Sequence, residues 1–165
     1  MQRRHLLAAS ASALLLGACG FQLRGAPELA FQSLYLGASN STLTNELRRN
    51  LASLGSLQVI ADPDLRSTAQ AVLDILLDQR EKTVVGVNAS GQVREFQLRV
   101  RVRFRLRTPQ GRDLIPETEL LQQRDISFNE SAVLAKEAEE GLMYRDMQSD
   151  IVQQLIRRLA AVRSI

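Results

Sequence analysis

"QVREFQLRVRVRFRLRT", residues 92–108, decides the fold. Phe96, Leu98, Val100, Val102, Phe104 and Leu106 fall on one parity. Arg99, Arg101, Arg103, Arg105 and Arg107 fall on the other. A period of 2 held this long belongs to a β-strand with one buried and one solvated face. A helix would scatter the same arginines around its whole cylinder.

The preceding stretch, "AVLDILLDQREKTVVGV" (71–87), supplies a partner. Leu73, Ile75 and Leu77 share one face; Asp74, Asp78 and Arg80 share the other. "NASG", Asn88 to Gly91, holds turn residues, so the two stretches predict an antiparallel hairpin. A four-residue loop pairs Leu73, Ile75 and Leu77 with Leu106, Phe104 and Val102. The same register sets Asp74 against Arg105 and Asp78 against Arg101. It also sets Arg99 against Arg80, with Lys82 alongside. Like charges directly opposite are destabilising. A cost with no folding benefit points to an anionic partner for the Arg80, Lys82 and Arg99 cluster.

Further out, "TPQGR" (108–112) is a second turn, and a less regular strand follows around residues 117–127. "FNESA" then opens a long helix with an apolar stripe of Met147, Ile151, Leu155, Leu159 and Val162. On the amino-terminal side, "FQSLYL" (31–36) and "LQVIA" (57–61) read as short strands. The helix between them carries Leu43, Leu47, Leu51 and Leu54 on one stripe and stops at Gly55. Strand, helix, strand at this spacing predicts a βαβ unit with parallel strands. Two helices need a sheet to cover, and the sheet has one apolar face. The expected fold is therefore α/β: a two-layer sandwich with two helices on one face of a small mixed parallel and antiparallel sheet, the arginine face left open.

The chain has 165 residues, enough for one domain, with 45% apolar residues and no tryptophan, so the core is aliphatic. Arg3 and Arg4 carry two of the net +3 charges, which leaves +1 for residues 19–165. Residues 1–18 read as a secretory signal: a basic start, then an apolar run from Leu6 to Leu16 too short to span a membrane. The run ends Leu-Gly-Ala-Cys, which resembles a bacterial lipobox, with Cys19 as the lipid attachment and first mature residue. Several acyl chains give stable anchoring. Gly20 follows in place of a retention aspartate, so the address is the outer membrane, facing the periplasm. Residues 19–30 make a lipidated tether and 31–165 a single domain.

That address excludes chemistry. The only histidine, His5, leaves with the signal, and the only cysteine is acylated. Serine and cysteine triads and zinc sites built on Cys or His are excluded. "GVNASG" lacks the Lys-Ser/Thr of a phosphate-binding loop. Glu137 and Glu140 read as a solvated helix face. No enzyme activity, cofactor or metal is expected. Nucleic acid is excluded by compartment, while lipopolysaccharide phosphates suit the guanidinium fork. Lys136, one of two lysines, sits at a helix start where the dipole disfavours a cation.

"CGFQLRG" directly after the lipobox, and "AVLAKEAEEGLMYRDMQSDIVQQLIRRL" near the end, resemble the LPS-assembly lipoprotein family LptE (RlpB). The order of elements between them fits as well. The resemblance implies the same two-helix sheet fold. It also implies a role in plugging and assembling the LptD β-barrel and binding lipopolysaccharide during its insertion into the outer leaflet. Lys136 matches one basic position of the family. Ala89 stands near the second, which leaves Arg94, or the Arg80, Lys82 and Arg99 cluster, as its substitute. The alternative is a scaffold lipoprotein of another envelope complex that does not bind lipopolysaccharide.

Overall fold

The computed structural model describes residues 28–37 and 40–165. The signal segment, Cys19 and most of the tether lie outside the described residues. In chain order come β1 (Ser33–Leu36), α1 (Thr42–Ala52), β2 (Gln58–Ile60), a 3-10 helix (Pro63–Thr68), β3 (Ala71–Val87), β4 (Val93–Arg107), β5 (Asp113–Ser127) and α2 (Val133–Ala160). The five strands form one sheet in the order β2-β1-β3-β4-β5. β1 runs parallel to both β2 and β3; the two hairpins are antiparallel. This is the mixed sheet the pattern predicts. β5 begins at Asp113, four residues earlier than the sequence reading placed it.

Both helices cover one face. α1 begins at Ser41, whose hydroxyl accepts from the Thr44 N–H at 3.1 Å, and this satisfies one of the first turn's orphan donors. Its Leu43, Leu47 and Leu51 are fully buried, as are Met147, Ile151, Leu155 and Leu159 of α2. They meet Leu98, Val100, Val102, Phe104 and Leu106 of β4, all at most 1% exposed. Each such side chain contributes about 1.5–3 kcal/mol when fully buried. β4 is thus the centre strand of the core, with its arginines on the far side.

The two hairpin turns are built alike. The Asn88 N–H donates to the Gln92 carbonyl, and the Gly91 N–H donates to the Asn88 carbonyl. Thr108, Gly111 and Arg112 repeat this arrangement. Each loop is therefore three residues long, closing on a glycine with positive φ, 80° at Gly91 and 99° at Gly111. A left-handed glycine after a turn is the usual way to close a three-residue hairpin.

The loop length overturns half of the expected register. Leu73, Ile75 and Asp74 do pair with Leu106, Phe104 and Arg105. A bulge at Leu76 then inserts one extra residue, and Leu77 pairs with Arg103 and Asp78 with Val102. From there Gln79 faces Arg101, Arg80 faces Val100, Glu81 faces Arg99 and Lys82 faces Leu98. Since side chains alternate, a one-residue offset exchanges the faces. Leu77 moves to the arginine side, and Asp78, Arg80 and Lys82 move to the helix side. Arg99 does not oppose Arg80, and the two lie on opposite faces of the sheet. The like-charge argument for a three-residue cluster falls with that pairing.

β1 is short. Its pairing with β3 ends at Leu36 and Leu73. From Asp74 to Val87 the margin of β3 away from β4 has no strand beside it among the described residues.

Candidate functional site

The bulge brings the chain's two lysines together. Lys82 leaves β3 on the helix side, its Nζ 4.3 Å from the centre of the Phe96 ring and 2.6 Å from Glu140 Oε2. Lys136, in the first turns of α2, donates to Ser127 Oγ at 3.0 Å and to Glu139 Oε2 at 2.8 Å. Both lysines line one narrow crevice with Phe96, Phe128, Val133 and Glu140. Phe96 and Phe128 meet edge to face at 5.3 Å. The apolar part of the crevice lining is Phe96, Ile126, Phe128 and Val133, and the two elements that supply the lysines carry exposed apolar residues, Leu134 of α2 at 82% and Val87 of β3 at 60%. Cations beside apolar side chains can hold a molecule that carries both phosphate and hydrocarbon.

The other expected residues separate. Arg80 lies on the same face as Lys82. It donates to Gln148 Oε1 at 2.7 Å and stacks 5.4 Å from the Tyr144 ring. It holds β3 to α2, and the Tyr144 hydroxyl donates to the Glu81 carbonyl beside it. Burial raises the Tyr144 pKa, and the Glu140 charge adds to this, partly offset by Arg80. Arg94 is exposed at the hairpin end and donates to Gln92 at 3.3 Å. Arg99 lies on the opposite face, where its Nε donates to Gln97 at 2.8 Å. Lys82 and Lys136 are thus brought together, and Arg99 is not part of that site.

The arginine ladder is largely balanced by acids. Arg103 meets Glu117 at 2.8 Å; Arg101 lies within 4.0 Å of Glu81 and 3.8 Å of Glu119. Asp78 is not a partner of Arg101, because the bulge turns it to the other face. Asp74 holds the base of the ladder: Arg107 Nε at 2.7 Å, Arg105 at 3.1 Å and Arg66 at 3.5 Å. Burial pushes the Asp74 carboxyl up, but hydrogen bonds from Arg107 and Arg105 outweigh it and leave the pKa below the usual value. The Asp74 hydrogen bond raises Arg107 in turn. Sequence reading found the Asp74–Arg105 pair and missed Arg66, which reaches in from a 3-10 helix with no periodic signal. It also missed Glu139, whose i,i+3 spacing from Lys136 was a legible signal, and Glu140, which Lys82 reaches across from β3 with no such signal.

Among the described residues, no group of histidine, cysteine and acid side chains is placed to hold a metal ion, and no helix is long and apolar enough to cross a membrane.

The chain resembles known proteins over most of its length. The LPS-assembly lipoprotein LptE of Yersinia enterocolitica is 32% identical over 171 residues, covering 99% of this chain and 79% of that one. The LptE of Pectobacterium atrosepticum is 27% identical, covering 97% and 86%. The solution structure of an uncharacterized lipoprotein B from Nitrosomonas europaea superposes with a TM-score of 0.73 at 34% identity, covering 86% of this chain and 91% of that one. A crystal structure of the rare lipoprotein B from Shewanella oneidensis shares the fold, with a TM-score of 0.65 at 20% identity over 79% of this chain and 94% of that one. The family model for LptE, described as lipopolysaccharide-assembly, matches residues 31–159. The chain therefore belongs to the LptE family of lipopolysaccharide assembly.

Proposed function

We propose that this chain is a non-enzymatic lipoprotein of the outer membrane, anchored through Cys19 on the periplasmic side. In this reading it plugs and helps assemble an LptD-type β-barrel and binds lipopolysaccharide at the Lys82–Lys136 crevice. The barrel and the anchor rest on family membership and on the lipobox-like Leu-Gly-Ala-Cys. The observation that carries the lipid part is the convergence of the chain's two lysines on one crevice lined by Phe96, Phe128 and Val133. A phosphate would replace the carboxylates of Glu139 and Glu140 at the ammonium groups, while acyl chains cover Leu134, Val84 and Val87.

The test has two arms. Depletion of the protein leaves the barrel misassembled and lipopolysaccharide stranded inside the cell; normal surface lipopolysaccharide would refute the proposal. Lys82→Glu and Lys136→Glu each lower lipopolysaccharide affinity, whereas Arg99→Glu, on the far face, does not. A second reading, a scaffold lipoprotein without lipid contact, draws on one observation: both lysines already hold carboxylates. Unchanged affinity in both lysine variants favours that scaffold. Glu140 is engaged by Lys82, so a hydrolytic carboxylate pair with Glu137 finds no support there.

A further inference from the structure

A second charged cavity lies at the other end of β3. Asp74 and Lys82 are eight residues apart, about 25 Å along a strand, and they face opposite sides of the sheet. The cavity follows from unequal strand lengths. β1 stops at Leu36 while β3 runs on, and the Leu76 bulge bends β3 where support from β1 ends. The space left is about 450 Å³, with Tyr35 on its wall. That size falls in the range of small-molecule sites.

Its charged lining is three arginines and one aspartate: Arg66, Arg105, Arg107 and Asp74. Elsewhere on the ladder Arg103 has an acid to itself and Arg101 has two within 4.0 Å. Here three guanidinium groups share one carboxylate within 4.0 Å, with the charge of Asp113 on β5 also acting on Arg107. Each guanidinium carries five N–H donors, and a carboxylate offers about four acceptor positions. Arg105 keeps a buried Nε without a hydrogen-bond partner, as do Arg48 and Arg101 outside the cavity, so the shortfall rests on the count of donors and acceptors. The Arg66 guanidinium also lies over the Tyr35 ring, 5.5 Å from its centre, a favourable cation–π placement.

We propose that Arg66, Arg105 and Arg107 form an oxyanion site that takes a phosphoryl group, carried on a sugar or free. Forked guanidinium donors match the paired oxygens of phosphate. Asp74 sets the three forks without neutralising them. Tyr35 offers a flat apolar wall to whatever carries the phosphate. The site is separate from the Lys82–Lys136 crevice and stands or falls independently of it.

The chain has two tyrosines and no tryptophan, so in a Tyr144→Phe background its fluorescence reports Tyr35. Full chain in detergent is titrated with inorganic phosphate, glucose 1-phosphate and glucose, at ionic strength held constant with chloride. Saturable quenching by the two phosphates and none by glucose is the expected result. Arg66→Gln and Arg107→Lys each weaken the apparent affinity about tenfold or more, the loss expected for one charge-assisted hydrogen bond. Arg107→Lys keeps the charge at Asp74, so it decides the matter if Arg66→Gln fails to fold. Arg99→Gln, on the same face but outside the cavity, leaves the affinity unchanged. Tighter binding of glucose 1-phosphate identifies a phosphorylated sugar, and equal binding a free phosphate; both support the site. Absence of saturation, an equal response to glucose, or equal loss in Arg99→Gln overturns it.

Discussion

Replacing Asp74 by asparagine tests the base of the ladder most directly. The substitution keeps size and shape and removes one charge. Asp74 is 20% exposed and Arg107 21%, so their 2.7 Å contact is largely shielded. A hydrogen bond to a charged group of this kind contributes about 1.5 kcal/mol. Arg105 and Arg66 are about twice as exposed, and at 3.1 and 3.5 Å their contacts are discounted to roughly 0.5 kcal/mol together. The expected loss is about 2 kcal/mol at neutral pH, a shift of about 1 M in the urea midpoint for an m-value near 2 kcal/mol/M. The pH dependence has a definite sign. The Asp74 pKa is lower folded than unfolded. Its contribution is therefore present above the unfolded value of about 4 and is lost as pH falls through the folded value. Urea unfolding followed by far-ultraviolet circular dichroism, at pH 7 and again near pH 2.5, measures the gap between wild type and Asp74→Asn. The gap narrows toward zero in acid. A gap below about 0.5 kcal/mol at pH 7, or one that persists undiminished in acid, refutes the assignment.

Two further outcomes follow from the packing. Phe104 is fully buried at the centre of β4, so Phe104→Ala costs about 3–5 kcal/mol, read in the same urea titration; a loss under about 1.5 kcal/mol would mean the core closes over the cavity. Arg80→Ala removes the contacts of β3 with Gln148 and the Tyr144 ring, and amide exchange in α2 around Tyr144 accelerates while β4 stays protected. Unchanged exchange in α2 would show that Arg80 does not hold β3 to that helix.

The alternation in β4 carried most of the fold, because six apolar and five arginine side chains leave one phase open to a strand. The helices were legible for a similar reason: Leu43, Leu47 and Leu51 name one face of α1, and α2 repeats the pattern. The candidate site was read less well, and the cause is local. Beyond Leu77 the outer half of β3 carries Asp78, Arg80 and Lys82, which are equally at home on either face. Only pairing fixes them, and a loop of three residues in place of four moved every one. One trace of the bulge is in the sequence: Ile75, Leu76 and Leu77 are three apolar residues in succession, and a strand of period 2 cannot bury all three on one side. Arg66 had no such trace, since a 3-10 helix of six residues brings it to Asp74 through tertiary folding alone.

The unaccompanied margin of β3, from Asp74 to Val87, has a consequence for how the molecule lives before it is assembled. A row of amides and carbonyls that no strand among the described residues shares is a template for any extended segment that arrives, a second copy included. Tyr144 occupies one carbonyl, and the cations at 80 and 82 discourage like from stacking on like. Val84, Val85 and Val87 offer no such deterrent. Solubility is then a matter of concentration: the more copies there are, the sooner that margin is spent on a twin.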